Sequence, residues 1–335
     1  MAQSPKFDTS LTTLGKFVKT NFDMIWTEMT VGMFAKENPF YIGNRVKLIT
    51  GAKTKQLLPS ISSNHIIQPA NSKAWNPTSD AVTFSQRTLD PLPFKADIEV
   101  DWQAVEQEWL ASEATAKIGK LANESNPFPT MEEYLINQLI KQADADKREA
   151  IVLGDTSSLT PHLKVFNGEV ILIQEAITDG LAPVNTTGGV GNVQADMIKM
   201  IAQIGKAYRG KPLVMVLASD VYQHWTTELV SSGSSAFVMA MSSKASSVDA
   251  LRMTVTGFPN IQVIEEPFYP DGAMVLTTPD NLCFGVDDQG TDNQLRFQMN
   301  RRIVEFMMDG TMGLQFRSTV PANSDALALV VNDVF

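Results

Sequence analysis

The chain has 335 residues, 44% of them hydrophobic and 19% charged, with a formal net charge of −10. That composition excludes wholesale disorder, and the length allows one large or two modest cores. The negative balance argues against a free surface built to grip nucleic acid by phosphate neutralisation. No uninterrupted apolar run approaches the roughly 20 residues of a membrane span, and the single cysteine, Cys283, excludes an intrachain disulfide.

In chain order, the N-terminal MAQSPKFDTSLTTLGK lacks the basic start and apolar run of a secretory signal. Leu14, Phe17, Val18, Phe22, Ile25 and Trp26 recur at helical spacing, which predicts an apolar arm that needs something to lie on. Residues 36–96 hold Pro39, Pro59, Pro69, Pro77, Pro91 and Pro93, so helix is excluded there. Two extended runs are predicted in that stretch, Tyr41 to Ile49 and Ala81 to Leu89, with Ser60 to Asp80 as a long loop between them. So long an excursion is unusual in a compact monomer and is expected to be supported by another chain.

DIEVD (97–101) reads as a strand, and Trp102 to about Ala122 as a helix. The clearest element follows. Thr130 and Glu133 form a capping box, and the helix they open is predicted to run to Leu153 and stop at Gly154, a span of roughly 35 Å. GEVILIQEAI (168–177) fits either a strand or a short helix, and 183–192 a loop. Val193 to Tyr208 is predicted as an amphipathic helix, Pro212 to Leu217 as a buried strand, and Ser219 as the cap of the next helix. Residues 231–247 hold eight serines and read as a surface loop. Strands are expected at Ile261 to Ile264 and Met274 to Leu276, then at QLRFQMN, RRIVEFMM, GLQFR and ALALVV, with Asp309-Gly310 as a hairpin turn.

Charge is unevenly spread. From Lys36 to Arg87 the balance is +5, and from Asp97 to Asp155 it is −8. Two solvated faces would explain this. So would docking of the basic segment of one copy on the acidic segment of another.

Residues with chemistry to offer are sparse. His65, His162 and His224 are isolated and lack zinc-ligand spacing, so each reads as a packing or surface residue. Gly189-Val190-Gly191-Asn192-Val193-Gln194 resembles the start of a dinucleotide fingerprint, but Gln194 replaces its third glycine and PVNTT is a poor strand. Asp287, Asp288 and Asp292 lack EF-hand spacing and read as a solvated turn. Cys283, flanked by apolar residues, reads as a small core hydrophobe. No catalytic residue, cofactor or metal ligand is assigned, and the chain is read as a non-enzyme.

The order of these elements, with KREAIVLGD (147–155), PLVMVLASDVYQHW (212–225) and Asn281-Leu282-Cys283-Phe284-Gly285, resembles the Hong Kong 97-type major capsid proteins of tailed double-stranded DNA bacteriophages. The resemblance implies an α+β capsid fold: an N-terminal arm (1–35), an extended loop (36–96), a peripheral domain (97–190) with a spine helix (130–153), an axial domain (191–285) and strands returning to the peripheral domain (286–335). It further implies self-assembly into pentamers and hexamers of an icosahedral head shell around viral DNA, contacted non-specifically. Scaffold, portal and decoration proteins are further partners it allows, and a separate scaffold or none is expected. The chain is expected in the virion, made in the host cytoplasm, with no membrane contact and no cofactor. Arg45, Lys47, Lys53, Lys55, Trp75 and Arg87 are the expected intersubunit contacts. An encapsulin-like compartment shell and, from another class, a cytosolic α/β enzyme or ligand-binding protein are the alternatives.

Overall fold

The computed structural model describes residues 20–36, 38, 41–63, 82–101, 103–104, 107–108, 131–182, 184–185, 192–231, 253–255, 257–287, 295–300, 303–319 and 329–335. Its helices are α1 (Phe22–Val31), α2 (Met131–Leu153), α3 (Glu169–Thr178), α4 (Val193–Gln203) and α5 (Ser219–Ser231). The strands are β1 (Val46–Thr50), β2 (Gln56–Ser63), β3 (Val82–Leu89), β4 (Leu92–Asp101), β5 (Val184–Asn185), β6 (Leu213–Ala218) and β7 (Met253–Val255). They continue with β8 (Phe258–Glu266), β9 (Met274–Thr277), β10 (Leu282–Val286), β11 (Leu295–Asn300), β12 (Ile303–Phe316) and β13 (Leu329–Asn332). No helix among the described residues is long and apolar enough to cross a membrane.

Two sheets organise these elements. The first runs β1-β10-β12-β11, with β4 also paired to β12. The second runs β5-β13-β9-β6-β8-β7, and β2 pairs with β3 in a separate two-stranded ribbon. Strand β12 alternates because its even-numbered residues Val304, Phe306 and Met308 point to a covered face. There they meet Ile25, Trp26 and Met29 of α1 and Leu135 and Ile136 of α2. The centre of the second sheet has no such alternation. β6 is buried at every position, because it lies between β8 and β9 with α5 against it. One continuous core joins the sheets, running from Val46, Phe284 and Phe316 to Met215, Val275 and Val331.

The spine helix α2 matches the predicted span from Met131 to Leu153; its cap residue, Thr130, lies outside the described residues. Gly154 follows it for a different reason than expected. It is absent from the glycines with left-handed backbone. A Cβ there would lie 2.4 Å from the Ala150 carbonyl oxygen and 2.5 Å from that of Phe166, and one on Gly168 would lie 2.5 Å from the Gly154 nitrogen. Two glycines let the end of α2 and the start of α3 touch, with the Gly168 N–H donating to the Gly154 carbonyl at 2.7 Å. The ambiguous 168–177 stretch is helical: Leu172, Ile173 and Ala176 share the buried side of α3.

Several expectations are corrected. Asp309-Gly310 is no turn. Both residues sit inside β12, opposite Lys95 and Phe94 of β4, and the chain reverses between Asn300 and Ile303. The Phe94 ring covers Gly310, where a Cβ would lie 2.5 Å from it, so tertiary cover overrides the local turn signal. The predicted loop from Ser60 begins inside β2, which continues through Pro59 because a two-stranded ribbon tolerates a missing donor. The 97–101 strand is the second half of the longer β4. The helix predicted to Tyr208 ends at Gln203 and resumes as a single 3-10 turn at Lys206–Tyr208. The last strand, β13, joins the second sheet beside β9 and β5. The arm before residue 20, most of the 102–122 helix and the serine-rich loop beyond Ser231 lie outside the described residues.

Candidate assembly surface

The β2–β3 ribbon is held by an eight-pair antiparallel register from Gln56↔Leu89 to Ser63↔Val82. Because strands alternate, the register puts Leu58, Ser60, Arg87 and Leu89 on one face. Leu57, Pro59, Phe84, Gln86 and Thr88 take the other. The first face lies on the body. Leu58 and Leu89 pack on Cys283 and Ile49 of the first sheet. Arg317 Nε donates to the Pro59 carbonyl at 3.0 Å, and Arg87 Nη1 donates to Thr319 Oγ1. The five residues named on the opposite face are all exposed, Leu57 at 61% and Phe84 at 74%. Covering two such side chains is favourable by about 1.5–3 kcal/mol each.

The predicted contact residues divide. Lys47 is exposed on β1, opposite Cys283 in the ladder. Lys53 pairs with Asp287 at 3.6 Å and Lys55 with Asp90 at 2.7 Å, both lysines reaching into solvent where the ribbon begins. Arg87 is half-buried. Trp75 lies outside the described residues.

Arg45 departs from the expectation: it is 2% exposed and cannot face a second chain. Its guanidinium lies 3.0 Å from Glu169 and 3.0 Å from Glu266, donates to the Tyr269 hydroxyl at 3.4 Å and sits 5.6 Å from that ring's centre. Arg148 of α2 reaches Glu266 as well, at 3.0 Å. The cluster ties the segment before β1 to α3, α2 and the end of β8. Burial opposes the Arg45 charge, but Glu169, Glu266 and Tyr269 together outweigh it and hold the side chain protonated. A second buried clamp fastens α1 to α2. Lys147 Nζ donates to the Met29 carbonyl at 2.6 Å and pairs with Asp144 at 2.7 Å, and Asn38 donates to Asp144 at 2.6 Å. Burial pulls the Lys147 pKa down, with Asp144 opposing it.

The other groups with chemistry are engaged or scattered. Among the described residues no cluster of three His, Cys, Asp or Glu could hold a metal ion. His162 lies 3.3 Å from Glu149, His224 is exposed on α5, and His65 lies outside the described residues. Cys283 is buried, and burial pushes its thiol pKa up. The glycines of the 189–194 motif lie outside the described residues. The start of α4 already holds an anion of the chain's own: the N–H groups of Val193 and Gln194 donate to Glu228 at 2.9 and 3.2 Å.

The fold is therefore a long spine helix across one sheet, a second sheet whose central strands β6 and β9 are buried at every position, and a ribbon laid by one face on the first sheet. No protein-family model and no curated protein matches the sequence. Among solved structures, a chain of the satellite phage P4 procapsid, determined with the size determination (Sid) protein, superposes with a TM-score of 0.52 at 14% identity. The match covers 89% of this chain and 96% of that one. The capsid asymmetric unit of cyanophage A-1(L) follows at a TM-score of 0.49 and 10% identity, covering 87% and 90%. A virus-like particle from Pyrococcus furiosus gives 0.46 and 10%, covering 93% and 98%. The likeness to the P4 procapsid chain, over nearly all of both, shows the fold to be the Hong Kong 97 type.

Proposed function

We propose that the chain is the structural subunit of an icosahedral head shell around a viral DNA genome, assembling from pentamers and hexamers of itself. One observation carries this reading: the outer face of the β2–β3 ribbon exposes the large apolar side chains Leu57 and Phe84, which find no cover among the described residues. In a lattice a neighbouring subunit supplies that cover. The exposed Lys47, Lys53 and Lys55 stand on β1 and where the ribbon begins, so a neighbour that covers the ribbon meets them too. On this reading the segments 1–35, 36–96, 97–190 and 191–285 serve as arm, extended loop, peripheral domain and axial domain, and 286–335 returns to the first sheet through β11 and β12 before β13 rejoins the second. The shell is the protein's activity, and no catalytic step is assigned. Negative-stain microscopy of the purified chain at micromolar concentration tests it. Rings, capsomers or closed particles are expected, and a stable monomer at every concentration would overturn the reading.

A further inference from the structure

After α2 the chain turns through Asp155 to Pro161 in a loop without repeating structure that is nonetheless firmly fixed. The Ser157 N–H and hydroxyl both donate to Asp155 Oδ1, at 2.8 and 2.7 Å. The Thr156 N–H and hydroxyl both donate to Asn167 Oδ1, at 3.2 and 2.9 Å. The Thr160 N–H donates to Ser158 Oγ at 3.1 Å, and the Asp155 N–H to the Leu163 carbonyl at 2.8 Å. At its apex stands Leu159, 100% exposed, the highest value of any large apolar residue described. An isolated surface leucine is ordinary. One held fully out of its own chain by a rigid loop has its ordering cost already met before any contact forms.

A matching recess lies elsewhere on the molecule. Ile198 and Ile201 of α4, Leu213 of β6 and Phe258 and Ile261 of β8 line a groove of about 260 Å³. Ile198 is 44% exposed there. The segment that lines one side of its rim through Arg209 and Gly210 is cationic: it also exposes Lys206 and Lys211, and no acidic residue stands between Gln203 and Leu213. The leucine loop carries the opposite sign at Asp155, whose carboxylate accepts the two Ser157 hydrogen bonds, which lower its pKa from the ordinary value.

We propose that Leu159 of one copy inserts into the Ile198–Phe258 groove of a second copy, with Asp155 facing the Lys206–Lys211 rim. Knob and groove are different surfaces of one chain, so the contact is head-to-tail and propagates around a ring. It rests on the self-assembly reading and adds a contact separate from the ribbon. The test uses the full chain with Cys283→Ala, so that introduced cysteines are the only thiols. Under mild oxidation of assembled material, Leu159→Cys with Ile198→Cys is expected to give a disulfide-linked ladder, and either change alone none. In the native background, Leu159→Asp is expected to cut particle yield at least tenfold with an unchanged thermal midpoint. Particles that form as well with Leu159→Asp would overturn the knob while leaving the shell reading intact, as would a ladder from Leu159→Cys with Ile98→Cys, because Ile98 of β4 lines a different cavity, of about 460 Å³, together with Leu139 and Ala143 of α2. A native chain that never assembles would overturn both.

Discussion

Every residue of β6 is buried, whereas the β2–β3 ribbon buries one face and leaves Leu57 and Phe84 on the other in solvent. The first region is complete within the chain: β8 and β9 satisfy its backbone and α5 lies against it. The second pairs its backbone across a single register and leaves Leu57, Pro59, Phe84, Gln86 and Thr88 exposed. Substitutions in the two regions are therefore expected to part stability from assembly, and variants graded by effect test that separation.

The largest effect is expected at the buried ion cluster. Arg45→Ala leaves Glu169 and Glu266 buried with one cation between them and is expected to cost about 3–5 kcal/mol of folding stability, read by denaturant titration. A loss under about 1 kcal/mol would mean that Arg148 alone balances the pair. Next, Leu217→Ala in β6 is expected to cost about 2–5 kcal/mol through the cavity it leaves, lowering the thermal midpoint of the unassembled chain. Leu57→Ser with Phe84→Ser should change folding stability by less than about 0.5 kcal/mol for each site, yet abolish particles in sedimentation. Particles at native yield would show that the ribbon's outer face needs no cover. The smallest effect is expected for Lys47, Lys53 and Lys55 reversed to Glu: weaker assembly with an altered salt dependence and a folded spine, since all three lysines reach solvent, although the Asp287 partner of Lys53 is buried. Equal assembly at every salt concentration would dismiss charge docking.

What the sequence shows locally, it shows well. The end of α2 at Leu153 is legible because the glycine that follows it is an adjacent residue, while the Thr130 cap lies outside the described residues. The apolar run at 213–217 declares a buried strand because burial on both faces leaves no polar positions. Signals fail where a distant segment decides. Asp309-Gly310 has the chemistry of a turn, and only the Phe94 ring, more than two hundred residues earlier, makes it a strand. QLLPSISS carries a proline and three serines, so its strand is visible only through its partner. Arg45 counts as one more positive charge in a basic segment, because the carboxylates that bury it come from positions 169 and 266. Of the candidate surface, which cations point outward is not legible in the sequence, since burial is a property of the assembled sheets.

Cys283 gives the ribbon a built-in clock. Its sulfur lies beneath Leu58 and Leu89, so a thiol reagent reaches it only when the ribbon lifts from the first sheet. The labelling rate then reports how often that happens, with every other residue silent because the chain has no second thiol. A neighbour that clamps the ribbon's outer face would slow the clock, so one native atom can time the locking of a subunit into its lattice without any engineered probe.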